Sequence, residues 1–306
     1  MDTVLLIGAE STIGANLAAT LASDHQVVAL GATRHVEISG CRGGHCDDRS
    51  PSTIQEWIAT TTPDRIVVCG TDKSAWDTPE QGQIERETAA AEHWAQAAAA
   101  RGCDLTVVSS NGVFTGPWMF HDEHSVSVCT SVTAQHLRRM EQRVLTYCPT
   151  ALVVRTHAIG WSPFATGWLD SIVQQLETGT APSLDFVRHS SPLPAHLLGD
   201  LLQQTWNASV RGICHMAGNE RISPFSVACR IAALLNCDEP QVDSVDTLSS
   251  PPIGFGRGET SLIARRLREE VGIAPPALKL HLDEMLAQRV DGGRERLLSA
   301  NLQHVA

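Results

Sequence analysis

The first twenty residues constrain the fold more than any other stretch. Val4–Ile7 is a short β-type apolar run that leads straight into Gly8-Ala-Glu-Ser-Thr-Ile-Gly14, and Thr12–Leu21 then carries apolar residues at helical spacing. A glycine-rich turn between a strand and a helix is the context in which such a motif means dinucleotide binding. The first glycine permits a tight turn and the last lets helix and strand pack closely. The helix N-terminus then offers free N–H groups to a pyrophosphate. The usual middle glycine is absent. Ser11 stands there, with a Cβ that crowds the phosphate approach and a hydroxyl that could donate to it. Gly8, Ser11, Thr12, Ile13 and Gly14 are therefore candidate cofactor-binding residues, and an ordinary ligand-free turn is the alternative.

Beyond this turn the chain alternates strand and helix. Strands are expected at Gln26–Leu30, Arg65–Cys69, Leu105–Val108 and Ala151–Val154. Helices are expected at Ile54–Ala59 after Ser50-Pro51-Ser52, from Pro79 to Arg101 with Gly102 as C-cap, and from Ser131 to Tyr147. Such alternation specifies a parallel sheet with helices on both faces. Beyond Gly160 the pattern loosens. Helices are expected at Gly167–Gly179, Pro194–Trp206, Pro224–Leu235, Thr260–Val271 and Pro276–Ala287, a short strand at Gly212–His215, and a loop from Ser249 to Gly258.

Composition bounds the function. The chain has 306 residues, enough to bury about three quarters of its unfolded surface. At 42% hydrophobic and 19% charged it is no disordered chain. A net charge of −11 argues against nucleic acid and against an anionic membrane surface as partner. No apolar run reaches the ~20 residues that span a bilayer, and Met1-Asp-Thr-Val lacks a basic leader, so a cytoplasmic location is expected. Nine cysteines at irregular spacing do not form a disulfide framework. Cys41-Arg-Gly-Gly-His45-Cys46 groups three soft ligands but has no second pair, and reads as a loop after the second strand.

Cofactor choice is read at the end of the second strand, where an acid would favour NAD by binding the ribose 2′-hydroxyl. Val27-Val-Ala-Leu-Gly31-Ala-Thr-Arg34 has no acid there. Arg34, three residues on, leans toward the 2′-phosphate of NADP, with a solvated surface arginine as the alternative.

These residues resemble the extended short-chain dehydrogenase/reductases of the dTDP-4-dehydrorhamnose reductase type, almost end to end. Asp47 resembles the family's adenine-contacting aspartate, and Pro63–Cys69, with Gly70 after it, its third strand. Val107-Val-Ser-Ser-Asn-Gly-Val-Phe114 resembles the strand end usually written Ser-Thr-Asp-Tyr-Val-Phe. Val153-Val-Arg-Thr156, Ser191-Pro192, Cys214-His-Met-Ala-Gly218 and Ser261–Ile273 resemble later family segments. The resemblance implies a doubly wound Rossmann-type α/β sheet with a smaller α-rich C-terminal substrate domain. Residues 1–160 would bind the dinucleotide, with a returning segment at about 188–216. Residues 161–187 and 217–290 would form the substrate part, and 291–306 a tail. It implies NADP or NAD as cofactor, contacts from Cys69 and Gly70, and a nucleotide sugar as partner. A homo-oligomer or a protein partner stays open.

The same resemblance implies a reacting trio: a proton-donating tyrosine, a lysine four residues later that lowers its pKa, and a serine or threonine bonded to the same substrate oxygen. Ser110 takes the last role. Counting back from Glu141, the family's helix glutamate, the tyrosine position falls on Thr133 and the lysine position on Leu137. No shift of register restores them, because the only tyrosine is Tyr147 and the only lysines are Lys73 and Lys279. Val68, Glu87 and Gly112 also replace family residues. Weak or no standard reductase activity is therefore expected. His136, one position before the lysine site, points elsewhere on the helix, but a substitute proton donor among His121, Glu123, His124, Cys129 and His157 remains open, as does a non-catalytic role of the kind filled by the β subunit of methionine adenosyltransferase, which shares this fold.

Overall fold

The structure, a computed structural model, describes residues 1–47, 50–70, 76, 83–242 and 258–297. Lys73, the loop over 249–257 and the last nine residues lie outside them. The strands are β1 (Thr3–Ile7), β2 (Gln26–Gly31), β3 (Arg42–His45), β4 (Arg65–Val68), β5 (Asp104–Ser110), β6 (Leu152–Thr156), β7 (Ala158–Ile159), β8 (Ser183–Leu184), β9 (Leu193–Pro194), β10 (Gly212–Met216) and β11 (Gln241–Val242). The helices are α1 (Thr12–Leu21), α2 (Pro51–Thr61), α3 (Gln83–Arg101), α4 (Val132–Tyr147), α5 (Trp168–Glu177), α6 (Leu198–Asn207), α7 (Pro224–Leu235) and α8 (Leu278–Ala287). None of the described helices is long and apolar enough to cross a membrane.

Seven strands form one parallel sheet in the order β3-β2-β1-β4-β5-β6-β10. From β1 the chain winds outward through β2 and β3, then crosses back to place β4 on the other side. Ligand crevices open at the carboxyl ends of strands at such a reversal. Strand alternation divides the sheet between two helical layers. Val4, Leu6, Ala29 and Val67 face α1, α6 and the later helices α5, α7 and α8 in one continuous core. Leu5, Ile7, Leu30 and Ile66 face α2, α3 and α4, against Ile54, Trp94 and Met140.

The helix-start signals act as their chemistry requires. Ser11, Ser50, Ser131 and Ser223 each accept a hydrogen bond from an amide of the first turn, with Pro51 and Pro224 at the first helical positions. Two expectations are corrected. Cys41–Cys46 is no plain loop, because Arg42–His45 forms the edge strand β3 in parallel register with β2. Thr260–Val271 is helical only from Arg265 onward. Its first half is extended because its backbone is claimed by distant segments: His121 N–H donates to Ser261 O at 2.8 Å and Thr260 N–H to His189 O at 2.9 Å.

A buried ion pair fixes α4 against the sheet. Arg155 on β6 donates to both oxygens of Glu141 at 2.8 and 2.6 Å, and Ser109 Oγ donates to the same carboxylate at 2.7 Å. The two charged side chains are only 9% and 3% exposed. This bond sets which face of α4 meets the ends of β5 and β6. Removing one partner strands the other charge in the core. Glu141→Leu is expected to cost about 3–5 kcal/mol in urea denaturation at pH 7, and adding Arg155→Met to recover most of that loss. A single variant within about 1 kcal/mol of wild type would contradict a buried, coupled pair.

Candidate active site

The glycine-rich turn lies where β1, α1 and β4 converge. Gly8 has φ +83°, and a Cβ there would sit 2.0 Å from the Cys69 carbonyl oxygen. A Cβ at Gly14 would sit 2.1 Å from the Gly8 carbonyl oxygen. Both positions therefore demand glycine, the turn by conformation and the helix start by contact. Ser11 is buried and spends its hydroxyl locally, donating to Gly8 O at 2.8 Å and accepting from Gly14 N–H at 3.0 Å. That hydroxyl is thus engaged inside the turn rather than presented as a donor to a phosphate. Thr12 is buried and Ile13 half-buried at the start of α1.

A cleft runs from this turn across the carboxyl ends of β4, β5 and β6. Its wall includes Ile13, Cys69, Gly70, Ser110, Leu137 and His157, with Val68, Glu87 and Thr156 beside them. The structure thus brings together sequence candidates from positions 13 to 157. Ser110 ends β5, and its hydroxyl caps the next turn by accepting from Gly112 N–H at 3.0 Å. Leu137 is buried in the wall. Thr133 is half-buried one turn before Leu137 on the same face of α4, outside the residues that line the cleft. Asp47 lies just past β3 at the sheet's far edge, half-buried.

Of the substitute donors, only His157 lines the cleft. His121 is buried against the Phe114 ring, stacked at 4.5 Å. Glu123 accepts from His215 N–H, Cys129 is buried beside Ser131, His136 is half-buried on α4, and His124 is exposed. His157 is held in a chain of bonds. Asn111 Nδ2 donates to Ser190 Oγ at 2.8 Å, and Ser190 Oγ lies 2.5 Å from His157 Nδ1. The direction of that last bond follows the imidazole tautomer: Ser190 donates when the ring proton is on Nε2 and accepts when it is on Nδ1. Nε2 itself has no partner among the described residues. Trp76 packs edge-on over the ring at 4.4 Å and meets Trp168 at 5.1 Å.

Arg34 is exposed, and its guanidinium lies 3.2 Å above the Phe164 ring. The sequence pattern gave no sign of Glu10. It is buried in the glycine turn, yet its carboxylate accepts from the amides of Ala32 and Thr33, just past β2. The glycine motif treats its position as variable, so no spacing rule marks it.

The sequence matches the family described as RmlD substrate binding domain over residues 1–290. The chain belongs to that family. Among curated proteins no sequence matches. A dTDP-4-dehydrorhamnose reductase from Bacillus anthracis, solved in complex with NADP, superposes with a TM-score of 0.79 at 16% identity, covering 94% of this chain and 99% of that one. The reductase from Clostridium acetobutylicum gives 0.79 at 15% identity over the same shares. A dTDP-glucose 4,6-dehydratase from Bacillus anthracis, in complex with NAD, gives 0.77 at 13% identity, covering 97% of this chain and 98% of that one. At these identities the likeness establishes the shared fold.

Burial has a pH consequence. It pushes His157 from its ordinary 6.5 down to about 3, helped by the Arg188 charge. Burial, then the Arg155 charge, does the same to His215. Between about 3 and 6.5 the unfolded chain binds protons at these two sites that the folded chain refuses. Stability from these groups is therefore full above about pH 6.5 and falls as pH drops toward 3. Urea midpoints measured from about pH 7 to 4 should fall for wild type, and less steeply for His157→Gln. An identical slope in the variant would show that His157 titrates normally in the folded chain.

Proposed function

We propose that this chain binds an NAD(P) dinucleotide along the carboxyl ends of β1, β2 and β4, and a nucleotide sugar over β5 and β6, with weak or no standard reductase activity. The glycine geometry at Gly8 and Gly14, the topological reversal and the cleft ending at Ser110 support the dinucleotide. A reduced nicotinamide bound there would supply hydride. The chain's own residues must then hold the substrate carbonyl and deliver a proton to its oxygen. Ser110 can donate a hydrogen bond to that oxygen. The observation that carries the reading is Leu137. It is buried in the cleft wall at the position where the family resemblance calls for lysine, and the sequence contains no Tyr-x-x-x-Lys.

His157 favours a second reading, residual activity through a substitute group. In the tautomer with its proton on Nε2, a neutral imidazole can donate a hydrogen bond and polarise a carbonyl, as neutral histidines do in some isomerases. It surrenders that proton poorly, so this route supports slow turnover. A non-catalytic subunit role is the remaining reading, and failure to bind either dinucleotide would favour it.

With dTDP-4-dehydrorhamnose as substrate, NADPH or NADH oxidation should run about 10²–10⁴-fold below that of active relatives, the usual worth of general acid catalysis. Turnover at their rate would overturn the proposal. Thr133→Tyr with Leu137→Lys supplies the acid and its electrostatic partner together. The pair should yield activity that neither single change gives, because a tyrosine of pKa ~10 without lysine holds its proton too tightly near pH 7. Equal activity in the Thr133→Tyr single variant would show that Leu137 does not mark the lysine position.

A further inference from the structure

We propose that Glu10 selects the dinucleotide: its carboxylate sits where the adenosine ribose is read, admitting a 2′-hydroxyl and turning away a 2′-phosphate. The proposal rests on the dinucleotide reading above and names the residue that decides between its two cofactors.

The sequence places no acid at the end of β2, but the fold brings one there from β1. Gly8 N–H and Ala9 N–H both donate to Leu30 O, at 2.9 and 3.1 Å, so the glycine turn lies directly against the end of β2. Glu10 is thereby carried to the loop after that strand, with only 7% of its surface exposed. Its Oε1 accepts from Ala32 N–H at 2.9 Å, from Thr33 N–H at 2.9 Å and from Thr33 Oγ1 at 3.1 Å, while Oε2 accepts from Ala32 N–H at 3.1 Å. Two successive amides and a hydroxyl converging on one oxygen make an anion nest, and here the chain fills it with its own carboxylate.

The residues just past the second strand are the ones that read the adenosine ribose in this class of sheet. A carboxylate there does for a ribose what an acid on β2 itself would do. Among the described residues Oε2 accepts one bond, and it keeps lone pairs for a 2′-hydroxyl proton. A 2′-phosphate meets the opposite situation. It would face a like charge, and the amides suited to binding it are already taken. Like charges brought together without solvent are strongly disfavoured. Arg34 is the cation expected to welcome the phosphate, but its guanidinium is stacked on Phe164. The bland alternative is a structural strap, in which Glu10 merely ties the loop at Ala32–Thr33 to the turn. A strap would affect both cofactors alike.

The test is a pair of fluorescence titrations at one ionic strength, NADH and NADPH, on the full-length wild type, Glu10→Gln and Glu10→Ser. Wild type should bind NADH at least about tenfold more tightly than NADPH. Glu10→Gln removes the charge and should narrow that gap about tenfold by strengthening NADPH. Glu10→Ser also frees the amides and should narrow it further. NADPH bound by wild type as tightly as NADH overturns the proposal whether or not the variants fold. So do variants that shift both affinities in parallel, since that is the behaviour of a strap. Those results leave the dinucleotide reading standing. Failure of wild type to bind either nucleotide overturns that reading, and the selection by Glu10 with it.

Discussion

The structure depends on one steric constraint, the three-way contact of β1, α1 and β4 at Gly8. A single methyl group at Gly8 would overlap the Cys69 carbonyl oxygen, and one at Gly14 would overlap that of Gly8. With both positions bare, the chain can leave β1, reverse into α1 and let β4 lie alongside. Everything else in the cleft is positioned from that point. Glu10 is swung against the end of β2, the start of α1 borders the cleft at the carboxyl ends of the strands, and Cys69 and Gly70 line the stretch that continues to Ser110. A turn relaxed by even one side chain would separate these elements and dissolve the crevice.

A second constraint acts at the other end. The Arg155–Glu141 pair, joined by Ser109, ties α4 to β5 and β6 in a region too dry to tolerate an unpartnered charge. It places Leu137 in the cleft wall. The pair orients α4, and the cleft wall beside it carries the apolar Leu137, Met140 and Val68 together with Ser110, Glu87 and His157. A family scaffold with an altered interior is consistent with binding retained and proton transfer weakened.

Much of this was legible in the sequence because it is local. Helices α1 and α7 begin and end where their apolar spacing, serine caps and prolines place them, and the core strands of the sheet read as short apolar runs. What was not legible is set by distant partners. Gly43-Gly44 carries no strand signal, yet pairing with β2 makes it one. Thr260–Ala264 has helical spacing, but bonds to His121 and His189 hold it extended. His157 could be singled out only as one of several substitute donors. Its place at the end of a bond chain from Asn111 through Ser190 needs residues 79 positions apart to meet. Glu10 was invisible for the same reason, since its partners are 22 and 23 residues away in the loop after β2.

The central claim, a retained dinucleotide cleft with a disabled reacting end, is most directly tested by amide hydrogen exchange with and without saturating NADH. Exchange reads the backbone at each segment and does not depend on turnover. The account predicts slowed exchange over residues 8–14, 31–34 and 68–70 and near Ser110, with the outer faces of α2 and α7 unchanged. Protection confined to other surfaces, or none at concentrations that saturate its relatives, would contradict it.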